Sequence, residues 1–179
     1  MIKLSGHAIS KIDRSDARYQ ALIEVHSRLS KKDSTIWGAA AQAEAAVRLN
    51  WIDLPESSRE LLPALDALYA KHRDKSTVIL CGMGGSSLGP EVIAQSFKKK
   101  LFILDSTDPD YVAHALNVDL AKTVVVVSSK SGSTIETASQ RALFESAFTQ
   151  ASLIPQNHMV IVTDPDSPLD KQSRDAGYS

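Results

Sequence analysis

The feature that most constrains this chain is the stretch 77–89, in which an apolar run ends in four glycines and two serines. Residues 77–81 are apolar and partly β-branched, which is typical of a strand buried on both faces. Pro90 then predicts the start of a helix, because proline suits a first helical turn. Unpaired amides and the positive end of the helix dipole attract anions there. We therefore expect residues 84–87 to hold a phosphate or another anion.

Strand and helix patterns alternate after this stretch. Further strands are predicted at 101–105, 123–127 and 159–163, and helices at 109–116, 135–150 and 169–176. This alternation predicts an α/β fold with three αβα layers, in which a parallel, doubly wound sheet carries helices on both faces. Ligands of such sheets bind at the carboxyl ends of the strands, near the point where the strand order reverses.

The region before the sheet is helical in pattern. Apolar spacing predicts helices at 16–29, 39–49 and 57–71, and Ser57 with Glu60 has the spacing of a capping box at the start of the last one. We expect residues 1–75 to form a helical prefix that packs on the sheet domain, residues 76–179.

A second polar loop, 129–134, follows the third predicted strand. Its hydroxyls, its backbone N–H groups and Lys130 are donors that bind a phosphate without a metal. Thr134 is also placed to cap the following helix. A single hydroxyl in a loop is most often a cap or turn residue. Two such loops after two strands of one sheet indicate instead a shared anion site.

Other sites fit the residues less well. Gly82 and Gly84 with Asp105 resemble a dinucleotide fingerprint, but Ser87 stands where its third glycine belongs. Asp105 has an equally good structural role as a cap for the turn at 106–109. A nucleotide-binding fold therefore stays a third hypothesis. No Gly-Lys-Ser/Thr follows the glycines, and the five histidines are scattered, so neither a P-loop nor a metal site is predicted.

The composition of the chain limits the kinds of partner and the cellular compartment that we expect for it. The 179 residues contain 20 Lys and Arg against 21 Asp and Glu, a balance that favours neither nucleic acid nor an anionic membrane as partner. The single cysteine, Cys81, excludes an internal disulfide and fits a reducing compartment, where it is expected to act as a small apolar filler. The sequence shows no signal peptide and no apolar run of membrane length, so we expect a cytoplasmic protein.

The two loops together identify a family. The segment 82–90 with the segment 129–137 resembles phosphoglucose isomerases, specifically their first sugar-isomerase (SIS) domain. Segments 104–109 and 162–169 resemble further family motifs in the same order. The prefix, notably 37–55, is similar to the isomerase half of fused bacterial transaldolase–phosphoglucose isomerases.

The resemblance implies a role for each loop residue. It assigns binding of the sugar phosphate to Gly84, Gly85, Ser86, Ser129, Lys130, Ser131 and Thr134. Lys130 would contribute mainly its backbone, and Glu136 would support the acid–base machinery by orienting a histidine. The run 131–133 departs from the family, because many relatives have Thr-Phe-Thr where this chain has Ser-Gly-Ser.

The resemblance also implies a reaction. Glucose 6-phosphate would be converted to fructose 6-phosphate by base-mediated proton transfer through an enediol-type intermediate, with no cofactor. Family members carry a second SIS domain, which supplies the catalytic arginine, glutamate, histidine and lysine, and they pair as homodimers. Those four residues lie outside this chain, so we expect it to bind sugar phosphate with little or no turnover. The alternative is a non-catalytic SIS module that senses sugar phosphates.

Overall fold

The computed structural model describes residues 5–178, apart from the side chain of Ala8. The chain forms two compact units, Met1–Pro63 and Ala64–Ser179. This division falls before the predicted boundary at residues 75–76, and it assigns most of the helix that precedes the sheet to the second unit. Residues 1–4, where the predicted prefix begins, lie outside the described residues. The packing of the prefix on the sheet domain stays a prediction.

The first unit consists of short helical segments. Its α-helices are α1 His7–Ser10, α2 Ala17–Ser30, α3 Gln42–Arg48 and α4 Leu54–Ser57. Turns of 3₁₀ helix at 39–41, 49–53 and 58–61 interrupt the two longer helices that the sequence predicted after residue 38. Pro55 lies in the first turn of α4, a position that proline favours. The capping-box prediction is wrong, since the Ser57 hydroxyl donates to the carbonyl of Asp53 at 3.1 Å.

The second unit is a parallel sheet with helices between its strands. Its elements are α5 Leu62–His72, β1 Thr77–Gly82, α6 Gly85–Ser96, β2 Phe102–Leu104, α7 Pro109–Leu116, β3 Thr123–Ser128, α8 Ile135–Gln150, β4 Met159–Val162 and α9 Pro168–Asp175. The strands pair in the order β2-β1-β3-β4, all parallel. This arrangement confirms the predicted α/β class. The order reverses between β1 and β3, which makes their carboxyl ends the expected ligand site.

Side chains alternate between the two faces of the sheet. Ile79, Cys81 and Val125 belong to a core cluster with Phe144 and Phe148 of α8, and all five are fully buried. On the other face, alternate valines such as Val124 and Val126 line a groove together with Leu65 and Leu68 of α5. Helices thus lie on both faces, as three αβα layers require.

The start of α6 corrects one prediction. The helix begins at Gly85, and Pro90 lies inside it rather than at its first turn. Gly84 has a φ of +55°, a conformation that glycine adopts readily, and this lets the chain turn into a helix directly after β1. Ser86 and Ser87 therefore lie in the first turn of α6, closer to the helix dipole than the sequence suggested.

Candidate anion-binding site

The two predicted loops leave adjacent strands at the same edge of the sheet. Gly82 at the end of β1 is paired with Ser128 at the end of β3. A Cβ atom on Gly82 would lie 3.1 Å from the carbonyl oxygens of both Ser128 and Ser86. The end of β1 is therefore enclosed between the second strand end and the first turn of α6, and this close approach requires glycine.

The first loop is open to solvent. A Cβ atom on Gly84 or Gly85 would have no neighbour within 4 Å in the described structure. The amide of Ser86 donates to the carbonyl of Met83, and the amide of Ser87 donates to the carbonyl of Gly84, both at 3.1 Å. The buried Ser87 hydroxyl also donates to the Gly84 carbonyl, at 2.9 Å. The donors that remain for an anion are the Ser86 hydroxyl and the amides of Gly84 and Gly85.

The second loop presents a pair of hydroxyls. The Ser129 hydroxyl, only 4% exposed at the residue level, donates to the hydroxyl oxygen of Thr134 at 3.3 Å. Thr134 occupies the N-cap position of α8, but its side chain makes no capping hydrogen bond. Its own O–H proton is therefore free to point at a ligand. The hydroxyl of Ser131 accepts from the amide and the hydroxyl of Ser133, at 3.2 and 3.0 Å.

The backbone of the second loop is held by the end of β4 and by the segment that follows it. The amide of Ser129 donates to the carbonyl of Val162 at 3.0 Å, and the carbonyl of Lys130 accepts from the amide of Asp164 at 3.3 Å. The Lys130 side chain is exposed. Gly132 has a φ of +69°, and a Cβ atom on it would lie 2.7 Å from Leu169 Cβ. The beginning of α9 therefore packs directly against the loop at Gly132.

Two acidic residues singled out by sequence have different surroundings. Glu136 lies in the first turn of α8, half-buried, and its predicted role in orienting a histidine stays a prediction. Asp105 is exposed and is not the cap of the following turn, so that interpretation was wrong. Asp108 caps α7 instead, accepting from the amides of Asp110 and Tyr111 at 3.1 and 3.0 Å. An aspartate directly before the proline at N1 reaches those amides, whereas Asp105 lies three residues before this N-cap position.

Cys81 is not a reactive group of the site. Its side chain is fully buried at the end of β1, and burial raises the pKa of the thiol to about 12. A thiol with such a pKa is not ionised at neutral pH and is a poor nucleophile.

Among residues 5–178 there is no cluster of three or more potential metal ligands of the His, Cys, Asp and Glu types. No described helix is long and apolar enough to cross a membrane.

Sequence reasoning missed a layer of residues behind the second loop. Thr137, Arg141 and Gln172 line a small cavity together with Ser129 and Thr134. Arg141 follows Thr134 by about two helical turns, a spacing that places both residues on one side of α8. That spacing was the available signal. The contribution of α9 has no local signal, because it depends on the strand order.

Comparison with known proteins agrees with this geometry. The sequence model of the family described as "Phosphoglucose isomerase" matches residues 69–172, which include both loops. The glucose-6-phosphate isomerase of Chlamydia trachomatis is 38% identical over 125 residues, which are 66% of this chain and 24% of the relative. That of Chlamydia caviae is 30% identical over 178 residues, 95% of this chain and 32% of the relative. The chain thus spans about a quarter to a third of the length of these curated relatives.

Solved structures give the same result at the level of the fold. A hypothetical protein from Thermus thermophilus superimposes with a TM-score of 0.73 at 29% identity, covering 91% of this chain and 39% of that protein. A glucose-6-phosphate isomerase from Chlamydia trachomatis superimposes with a TM-score of 0.62 at 27% identity, covering 90% of this chain and 38% of that enzyme. The family match covers more than half of the chain and includes the two loops that follow the strands on either side of the reversal of the sheet. The chain therefore belongs to the phosphoglucose isomerase family.

Proposed function

We propose that this chain is the sugar-phosphate-binding, amino-terminal part of a glucose-6-phosphate isomerase. The observation that carries the proposal is the pairing of Gly82 with Ser128, because it brings the starts of both loops to one edge of the sheet. The named relatives act on glucose 6-phosphate, which supplies the substrate class. We further infer that two copies pair in the whole enzyme and that the enzyme is cytoplasmic and belongs to glycolysis.

The donors of the two loops suit a phosphate dianion. The first loop offers the hydroxyl of Ser86 and the amides of Gly84 and Gly85 at the start of α6. The second offers the hydroxyl of Thr134 at the start of α8, which Ser129 supports from behind. Two helix N-termini and neutral donors stabilise negative charge without a metal. We infer that Ser131 and the backbone of Lys130 also bind the phosphate.

The chemistry of isomerisation needs a base placed at the substrate carbons. Glu136 is the carboxylate nearest in sequence to the second loop, and its position in the first turn of α8 suits support rather than proton transfer. We therefore expect the catalytic base, and the arginine, histidine and lysine that act with it, to come from other parts of the whole enzyme. On this proposal the 179-residue chain binds glucose 6-phosphate and does not turn it over at an ordinary rate.

The test is calorimetric titration of the chain with glucose 6-phosphate, with neutral glucose as the control. We expect a dissociation constant on the order of 1 mM for the phosphate ester and none for glucose. Affinity should fall as pH drops through about 6, where the phosphate loses its second charge. Equal binding of glucose would contradict the phosphate site. Formation of fructose 6-phosphate at an ordinary enzymatic rate would contradict the absence of the catalytic base.

A further inference from the structure

The second loop has a small cavity behind it, lined by residues of α8 and α9. Ser129 and Thr134 close the cavity on the side of the loop, and Thr137, Arg141 and Gln172 close it on the side of the helices. Its volume is about 40 Å³. Since one ordered water needs roughly 10–15 Å³, the cavity has room for at least two water molecules.

Two polar groups at this cavity have no hydrogen-bond partner among residues 5–178. Thr137 is only 2% exposed, and its hydroxyl makes no hydrogen bond within residues 5–178. The Nε atom of Arg141 is also buried without a hydrogen-bond acceptor among those residues. Buried polar groups in native proteins nearly always have partners, protein or water. Water inside this cavity is the partner that the geometry allows for both.

Arg141 is held in one orientation. Its Nη2 atom donates to Oε1 of Gln172 at 2.9 Å, and its side chain is 14% exposed. Its Nε atom lies 3.5 Å from Oε1 of Glu145, an ion pair without hydrogen-bond geometry. The same Glu145 oxygen accepts from the Tyr178 hydroxyl at 2.9 Å. The guanidinium is therefore fixed from two sides, while its Nε–H proton stays available to a water molecule.

A guanidinium only donates hydrogen bonds. In a series of hydrogen bonds that starts from it, each group therefore accepts from the side of the arginine and donates to the next group. A water molecule that accepts a hydrogen bond from Arg141 can donate one of its own protons to a threonine hydroxyl oxygen. A hydroxyl that accepts from the cavity in this way keeps its own proton for a hydrogen bond on the side away from the cavity. Such chains strengthen each bond in them. The Ser129–Thr134 contact has the same direction, because Ser129 donates to Thr134.

We propose that Arg141 is a positioning residue for the anion site. Acting through cavity water and the hydroxyl of Thr137, it turns the hydroxyl protons of the second loop outward, where a phosphate dianion accepts them. The inference rests on the proposed function, since it assumes that the loop binds a phosphomonoester. The inference predicts that the site prefers the phosphate dianion to the monoanion, because cavity water holds the hydroxyl donors of the loop in one orientation.

The decisive variant is Thr137→Val, which removes the hydroxyl and keeps the shape. Titration with glucose 6-phosphate at pH 7.5 should give affinity lower by about threefold to tenfold than wild type. The preference for pH 7.5 over pH 5.5 should also become smaller, a readout that a merely structural role would not change. Thr137→Ser keeps the hydroxyl and should restore both values. Arg141→Met should weaken binding at least as much as Thr137→Val.

Arg174→Met is the matched control for charge, because Arg174 pairs with Asp170 on α9, is 75% exposed and lies outside the cavity. It should bind as wild type does. If the wild type binds glucose 6-phosphate and Thr137→Val has the same affinity and the same pH profile, this inference is overturned and the proposed function stands. A folded wild-type chain that binds neither glucose 6-phosphate nor inorganic phosphate overturns the proposed function and, with it, the inference.

Discussion

The two loops of the candidate site are built in opposite ways. The first, at 84–87, has open space around its glycines and owes its position to the helix that follows it. The second, at 129–134, is pressed against α9 and hydrogen-bonded to the segment after β4. One loop is therefore free to adjust to a ligand, whereas the other is fixed before a ligand arrives.

This difference teaches how a parallel sheet prepares a binding site. Both loops follow inner strands of the same sheet, since β1 lies between β2 and β3, and β3 lies between β1 and β4. The segment leading from β4 into α9 packs on the loop after β3, whereas no described residue lies close to the glycines at 84 and 85 in the loop after β1. The rigid half of the site thus lies where the segment after a neighbouring strand packs on it.

The largest expected effect is at Gly132. Gly132→Ala would place a methyl group against Leu169 and also strain a positive φ, at a cost of about 2–5 kcal/mol in the free energy of unfolding. Gly84→Ala is the matched variant, because Gly84 also has a positive φ but no neighbour for a Cβ atom. It should cost about 1–3 kcal/mol less than Gly132→Ala. Urea unfolding monitored by exposure of the Cys81 thiol measures both within the sheet unit.

A double variant checks the cause of that difference. Leu169→Gly alone should destabilise the unit, since Leu169 is buried, but it removes the Cβ atom that the new methyl group meets at 2.7 Å. Gly132→Ala combined with Leu169→Gly should therefore cost less than the sum of the two, by about 1–2 kcal/mol. Strict additivity would show that the packing of α9 against the loop is not what holds the second loop.

The next effect concerns affinity for glucose 6-phosphate. Thr134→Val removes a hydroxyl from the fixed loop and should weaken binding by about 10- to 100-fold, the range for a hydrogen bond to a charged group. Ser86→Ala removes a hydroxyl from the adjustable loop, where water and the neighbouring amides compensate, and should cost less than about tenfold. Calorimetric titration distinguishes them. A larger loss in Ser86→Ala would reverse the assignment of fixed and adjustable loops.

The smallest effect is expected at Gly85, the first residue of α6. Gly85→Ala should stabilise the chain by about 0.5–1 kcal/mol, because alanine favours the helix and its Cβ atom has open space. The same methyl group would occupy the space proposed for the phosphate, so affinity should fall slightly while the melting temperature rises. A fall in melting temperature would mean that the first loop is as closely packed as the second.

Much of this architecture was predictable because it has local causes. The β-branched run at 123–127 and the apolar run before Gly82 fix strands, and alternation with helices then fixes a parallel sheet. Both polar loops follow strands, so their position at the carboxyl edge follows from connectivity. The residues of the proposed phosphate site were found in this way, although their joint binding of one phosphate stays a proposal.

The features that sequence did not reveal depend on contacts distant in the chain. Leu169 meets Gly132 only because β4 lies beside β3, and nothing near either residue signals it. The start of α6 was misplaced for a different reason. Proline is a strong signal for a first turn, but Gly84 bends the chain early enough that the helix has already begun when Pro90 is reached.

Pro90 inside α6 has a consequence for motion. Proline has no N–H, so the carbonyl of Ser86 lacks the helical hydrogen bond that residue 90 would normally provide. The opening turn of the helix is thus joined to the remainder by one bond fewer, next to the glycines that precede it. We therefore expect amide hydrogen exchange to be faster in this opening turn than in the part of α6 beyond the proline.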